Sequence, residues 1–265
     1  MNYKVSFPLN KNIKQIKSFF IKLNLESLIK FSSKYNMPIN KLIYKEYYTP
    51  ELIDLYRLYS FIFLNKRTTI VEFGCGWSSI IIAKALSNLK KKYSKSIKTL
   101  RRQNPFELFI VDNEKKYLNK TSKLFKTFFP TNDVKVHYHY SQVNMTKFNN
   151  KIACEYKLLP RCNPDFVYLD GPDQFNIKKF VNNINIGHKD FMPMQCDLLK
   201  IENFLQPGTI ILSDGRKANT RFLKNNFQRK WFYKEDENND QVIMLLKEKP
   251  LGIVGKAMLD FYNKK

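Results

Sequence analysis

The most constraining feature of the chain is the segment TIVEFGCGWSS, which covers residues 69–79. A short apolar run contains Glu72, and two glycines separated by one residue follow at Gly74 and Gly76. This pattern predicts a buried strand that ends at the glycines and a helix that begins directly after them. Because glycine allows a tight turn and a close approach to the backbone, the turn is expected to bind a ligand.

Three later segments repeat this arrangement of an apolar run that ends in an acid. They end at Asp112, Asp170 and Asp214, and glycine follows the last two acids. Helical patterns separate the runs, which predicts a parallel sheet covered by helices. Ligands bind such sheets at the carboxyl ends of the strands. Glu72 and the three aspartates are therefore expected at one edge of the sheet.

With these residues the chain resembles the class I S-adenosylmethionine-dependent methyltransferases, over roughly residues 45–248. The resemblance implies a Rossmann-like three-layer α/β/α sandwich. Its sheet would be mostly parallel and seven-stranded, with an antiparallel C-terminal strand, and an N-terminal helical extension would precede it. The implied cofactor is S-adenosylmethionine, with its methionine part at the glycine turn and its ribose at Asp112. The residues expected to bind it are Glu72, Gly74, Gly76, Ser78, Asp112, Asn113, Ser141 and Gln142.

The chain departs from the family pattern at two places. Ser78 stands where a third glycine is usual, and Ser141 with Gln142 follows the third strand where an acid is frequent. A dinucleotide-binding fold is the alternative for the glycine turn, but it requires a third glycine where this chain has Ser79 and an acid about 20 residues further on. Asp112 lies well beyond that distance, so the methyltransferase interpretation is favoured.

The acceptor is expected to bind near the last two acids. Asp170 is the first candidate for a general base, and His188 is the second because its ordinary pKa is near neutrality. Asp173, Asp214 and Arg216 are predicted to contact the acceptor, although Asp-Gly at Asp214 is also a turn signal. A divalent metal held by the aspartates is an alternative that catechol-type enzymes suggest. It is not favoured, because Gly215 stands where their amide ligand would be.

The chain is predicted to divide into a helical N-terminal extension (residues 1–48), a methyltransferase domain (49–248) and a basic C-terminal tail (249–265). The extension is expected to form one helix over residues 10–35, which ends at a break over residues 36–38. The next helix is expected to begin at Thr49 and Pro50. Further helices are predicted over residues 78–89, 115–128, 196–205 and 217–227, and from the loop after Asp170 to residue 186. A basic insertion is expected after residue 89.

The chain shows no signal-peptide pattern and no apolar run that would span a bilayer, so a cytoplasmic location is predicted. Its formal net charge of +23 attracts anions, although abundant Lys, Asn and Ile also point to an AT-rich coding bias. The favoured function is O-methylation of a small polar acceptor, sugar-like or hydroxylated. The alternatives are an RNA methyltransferase, suggested by the charge, and a non-catalytic protein that retains the fold.

Overall fold

The computed structural model describes residues 3–32, 49–129 and 133–264. The strands of these ranges are β1 (Thr69–Phe73), β2 (Glu107–Asp112), β3 (Lys135–Tyr140), β4 (Val143–Phe148), β5 (Lys151–Tyr156), β6 (Phe166–Leu169), β7 (Ile177–Lys178), β8 (Ile210–Asp214), β9 (Trp231–Asp236) and β10 (Gln241–Leu246). The helices are α1 (Ile13–Lys22), α2 (Glu26–Ser32), α3 (Leu52–Leu64), α4 (Trp77–Ile97), α5 (Lys115–Phe128), α6 (Asp197–Ile201), α7 (Lys217–Lys224) and α8 (Gly252–Asn263).

Seven strands form the central sheet in the order β3-β2-β1-β6-β8-β10-β9. The first five are parallel, and β10 runs antiparallel to both of its neighbours. This order confirms the predicted Rossmann-like, mostly parallel sheet with an antiparallel C-terminal strand. The direction of winding reverses between β1 and β6, which is where such sheets open a crevice for ligands.

Each face of the sheet carries its own apolar core, because successive strand residues point to opposite sides. Ile70 and Ile110 face the core that α3, α4 and α8 share, and Phe20 of α1 joins it. Val71 and Val111 face the second core, which is covered by α6, α7 and a small sheet of order β5-β4-β7. The hairpin of β4 and β5 was not predicted.

The N-terminal extension differs from the single predicted helix. Helix α1 ends at Lys22, and Asn24 adopts a left-handed conformation with φ of 55° before α2 begins. Asparagine tolerates this conformation better than most residues, so it can separate the two helices. The predicted break at residues 36–38 lies outside the described residues.

Several predicted helix bounds were wrong. Helix α3 begins at Leu52 after Glu51, two residues later than the proline signal indicated. Helix α4 continues to Ile97, since Leu89 and Ile97 extend its buried side through the lysine run that was taken for an insertion. Helix α7 ends at Lys224, and the helix predicted over 196–205 is a short α6 followed by a 3₁₀ turn. Helix α5 was predicted correctly.

The segment after Asp170 contains no helix as far as residue 186, which contradicts the prediction. It forms β7 instead, and Ile177 pairs with Val143 of β4. This pairing joins residues distant in sequence, so a local pattern does not reveal it. Within the described ranges, every helix is too short or too polar to span a bilayer.

Candidate active site

Two glycines hold the turn after β1 against the turn after β6. Gly74 has φ of 95°, and a Cβ there would lie 3.0 Å from the backbone nitrogen of Gly171. A Cβ on Gly171 would lie 2.6 Å from the nitrogen of Gly74 and 2.7 Å from the hydroxyl of Tyr156. Neither position has room for a side chain, so the contact fixes the relative position of the two ligand-facing turns. The sequence patterns did not identify Gly171 as a site residue, although its place in Asp-Gly-Pro was a signal.

Glu72 is fully buried at the end of β1, and both of its carboxyl oxygens are occupied. The Ser78 hydroxyl donates to one oxygen at 2.5 Å, and the Ser79 hydroxyl donates to the other at 2.6 Å. The backbone N–H of Gly76 donates to the Ser79 hydroxyl at 3.1 Å. Burial raises the pKa of Glu72 to about 8, although the two serine bonds oppose the shift. The predicted residues Glu72, Gly76 and Ser78 thus form one network that shapes the start of α4, together with Ser79.

Asp112 closes β2 beside this turn. One carboxylate oxygen accepts the backbone N–H of Glu114 at 2.6 Å. Burial raises the pKa of Asp112 to about 7, and a hydrogen bond from the Cys75 thiol opposes the shift. A carboxylate accepts several hydrogen bonds, so Asp112 on this edge suits a ligand that donates hydroxyl hydrogen bonds.

Asn113 and Asp173 hold the loop after β6 in place. The Asn113 amide accepts the backbone N–H of Asp173 at 2.8 Å and donates to the carbonyls of Asp173 and Asn176, each at 3.0 Å. The Asp173 carboxylate accepts the backbone N–H groups of Phe175 and Asn176. Asn113 was predicted to bind the cofactor and Asp173 the acceptor, but the described contacts of both side chains are made within the protein.

Ser141 and Gln142 follow β3 next to Asp112. The backbone N–H of Ser141 donates to the Asp112 carbonyl at 3.0 Å, and its hydroxyl accepts the N–H of Leu158 at 2.8 Å. The Gln142 amide donates to Asn144 at 3.2 Å. These two residues therefore border the Asp112 site and connect it to the β4–β5 hairpin.

Three carboxyl groups, those of Asp54, Asp170 and Asp214, lie near one another on the other side of the crevice. Asp170 keeps 46% of its side-chain surface exposed, yet its surroundings desolvate it enough to raise its pKa to about 6 against the opposing charge of Arg216. Arg216 donates to the Asp170 carbonyl, and its Nε lies 4.0 Å from the Asp170 carboxylate. Burial and then the charge of Asp170 raise the pKa of Asp214 to about 7.

Asp54 of α3 was missed by sequence reasoning. Burial raises its pKa to about 8, and the charge of Asp214 is the second cause. The hydroxyl of Tyr168 donates to Asp214 at 3.4 Å. Because α3 precedes the glycine turn and no motif surrounds Asp54, only the packing of α3 associates it with the site.

His188 is not brought to this group. Its side chain is 60% exposed in the loop before α6, where it accepts the backbone N–H of Asp190 and packs on the ring of Phe191. None of these contacts involves Asp170, and a catalytic role of His188 stays a prediction. Among the residues that the structure describes, no group of three His, Cys, Asp or Glu side chains is arranged to hold a metal ion.

No protein-family model and no curated protein matches the chain. Solved structures do resemble it. An O-methyltransferase from Bacillus cereus in complex with SAH is 13% identical and has a TM-score of 0.45, with 89% of this chain and 96% of that chain covered. A SAH-bound methyltransferase from Podospora anserina is 10% identical with a TM-score of 0.46, covering 92% and 100% of the two chains.

An O-methyltransferase of tomaymycin synthesis from Streptomyces achromogenes, in complex with SAM, is 12% identical with a TM-score of 0.37, covering 91% and 92% of the chains. At these identities and scores the likenesses say nothing about substrate or activity. The strand order of the central sheet and the place of its antiparallel strand decide the architecture. The fold is a Rossmann-like three-layer α/β/α sandwich, which is the architecture that the sequence resemblance implied. The glycine turn, Asp112 and Asp170 lie at the carboxyl ends of its strands.

Proposed function

We propose that the chain is an S-adenosylmethionine-dependent methyltransferase that methylates a hydroxyl group of a small polar acceptor. The observation that carries the proposal is the packing of Gly74 on Gly171. This contact holds the glycine turn, which lies beside Asp112, against the turn after β6 that bears Asp170. Arg216, which follows β8, lies next to the Asp170 carboxylate. A cofactor-side acid and an acceptor-side acid thus flank one rigid contact, as an in-line transfer between two bound molecules requires.

Each residue has a role in this proposal that follows from its chemistry. The bound cofactor would supply a methyl group on an activated sulfonium. Asp112 would accept hydrogen bonds from the ribose hydroxyls, and the Gly74–Gly76 backbone would lie against the methionine part. Asp170 would orient the acceptor hydroxyl and take its proton, since a pKa of about 6 leaves it mostly deprotonated at neutral pH. Arg216 would keep Asp170 in place and bind an anionic group of the acceptor.

The first test is cofactor binding by isothermal titration calorimetry. The wild-type protein is expected to bind S-adenosylmethionine with a micromolar Kd, and Asp112→Ala is expected to weaken binding at least about tenfold through loss of hydrogen bonds to a charged group. Asp190→Ala is the control, because that side chain is 87% exposed and pairs only with His188 among the described contacts. A wild-type protein that is folded by circular dichroism but binds no cofactor would refute the proposal.

The second test concerns Asp170, with turnover measured once a screen of hydroxylated compounds has found an acceptor. Asp170→Asn is expected to lower kcat about 100-fold or more, since a positioned base contributes about that much. Wild-type kcat should rise with pH through about 6, because the base acts only when it is deprotonated. Full turnover by Asp170→Asn with unchanged cofactor affinity would show that the base was assigned wrongly.

A further inference from the structure

Helices α4 and α5 carry an unbalanced charge. Together they contain ten lysines and no aspartate or glutamate. The lysines are Lys84, Lys90, Lys91, Lys92, Lys95, Lys115, Lys116, Lys120, Lys123 and Lys126. The whole chain has 46 basic and 23 acidic side chains, a ratio of two to one that would place about three acids among ten charged residues. A coding bias that acts evenly along the chain does not account for the absence of acidic residues from these two helices.

The lysines follow the outward sides of the two helices. Lys84, Lys91 and Lys95 recur at helical spacing along α4, as do Lys116, Lys120 and Lys123 along α5. The two helices pack against each other, so their rows form one surface. Acids approach it at its margin, where Glu26 and Asp133 act on Lys84. Lys84 and Lys95 are separated by about 17 Å along α4 at 1.5 Å per residue.

Exposed aromatic rings border these helices. Strand β3 is an edge of the central sheet and packs against α5, and its Tyr138 and Tyr140 are 37% and 44% exposed. The ammonium group of Lys115 lies 4.7 Å from the centre of the Tyr140 ring. Lysines that contact phosphates beside exposed rings that stack with bases are the combination that binds single-stranded nucleic acid.

We propose that this lysine–tyrosine surface, formed by Lys84, Lys91, Lys95, Lys116, Lys120, Lys123, Tyr138 and Tyr140, binds single-stranded RNA. An anionic membrane is the other polyanion to consider. However, the large apolar side chains of α4 and α5 are all buried or half-buried among the described residues, so neither helix presents an exposed apolar row to insert into lipid. RNA is favoured over DNA because its loops present unpaired bases, which exposed tyrosines stack against. Binding here is additional to the proposed methyl transfer and does not depend on it.

The test is fluorescence anisotropy with a labelled 12-nucleotide RNA at several salt concentrations. The variant combines Lys91→Gln, Lys95→Gln, Lys116→Gln and Lys123→Gln, which are all exposed positions. Its matched control combines Lys147→Gln, Lys157→Gln, Lys178→Gln and Lys230→Gln, exposed lysines outside both helices, so that net charge falls equally. Circular dichroism and thermal unfolding establish that both proteins are folded.

The surface variant is expected to bind at least 30-fold more weakly at moderate salt. The slope of log Kd against log salt should become about 3 smaller, at about 0.7 per lost phosphate contact. The control should stay close to wild type. Tyr140→Ala should weaken binding about tenfold, whereas Tyr140→Phe should preserve it, because stacking needs the ring and not the hydroxyl.

Three results would overturn the proposal. Equal losses in the two lysine variants would mean that net charge alone attracts RNA. Equal affinity for double-stranded RNA of the same length would refute the recognition of unpaired bases. Binding to phosphatidylglycerol vesicles that is lost in the same surface variant, with no RNA binding by the wild-type protein, would assign the surface to a membrane.

Discussion

At the scale of single residues, Glu72 makes the stability of the fold depend on pH. It is fully buried, its two oxygens meet serine hydroxyls, and burial raises its pKa to about 8. A carboxyl whose pKa is raised by folding stabilises the fold while it is protonated, below its unfolded value. That stabilisation is lost as the pH rises through the folded pKa. Burial of Glu72 therefore lowers the free energy of unfolding by an amount that grows from about pH 4.5 to about pH 8.

Glu72→Gln tests this cost, because glutamine keeps the shape of a protonated glutamate but cannot ionise. Its amide oxygen can accept from one serine hydroxyl while its NH₂ group donates to the other, as the O–H of a protonated carboxyl would. The wild-type free energy of unfolding should fall relative to that of the variant by up to about 1.4 kcal/mol per pH unit across this window. Thermal unfolding at pH 5, 6, 7 and 8 measures the difference, and other titrating groups cancel because both proteins contain them. Glu237→Gln, at an exposed position, is the control. Parallel curves for wild type and Glu72→Gln would contradict the expectation.

At the scale of elements, helix α8 does more than extend a basic tail. Met258, Phe261 and Tyr262 are buried in the core that contains α3 and α4, and Leu259 is buried as well. The Tyr262 hydroxyl donates to Asp165 at 2.9 Å, and the Arg67 guanidinium lies 3.9 Å from the centre of the Tyr262 ring. Asp165 also accepts the backbone N–H groups of Thr68 and Thr69 immediately before and at the start of β1. Helix α8 thus supports the end of the strand opposite its glycine turn.

A chain that ends at Pro250 is expected to lose at least about 10 °C in Tm, because each buried apolar side chain contributes about 1.5–3 kcal/mol. Ile253→Ser in the full chain is the control. It removes an apolar group from the same helix at a position that is 88% exposed, and it should change the Tm by less than about 2 °C. Differential scanning calorimetry measures both. A truncated chain with the Tm of the full chain would mean that α8 docks without stabilising the fold.

At the scale of the whole molecule, neither the apolar core nor the charge follows the predicted division of the chain into three segments. Phe20 of α1 and Phe261 of α8 belong to the same core as Ile70 of β1, so both terminal segments pack with the central domain. The division at residues 48 and 249 therefore stays a proposal about chain segments. The charge is also uneven, since carboxyl groups gather in the crevice while lysines cover α4 and α5. An acceptor and a polyanion would therefore meet different parts of the surface.

The sequence by itself determined the central sheet and its ligand-facing edge. The strand ends at Glu72, Asp112 and Asp170 could be predicted because buried parallel strands are continuous apolar runs and because glycine marks the turns. Helix α5 could also be predicted, since its apolar positions recur at helical spacing within one segment. These features depend on neighbours in sequence.

Only the tertiary structure decided how the loops and partners are arranged. The pairing of Ile177 with Val143, the arrival of Asp54 from α3 and the use of Asn113 as a clamp on the following loop all join residues far apart in sequence. The exposure of His188 likewise depends on the path of a long loop. Such contacts follow from which surfaces meet when the layers pack, and a local pattern of residues does not contain that information.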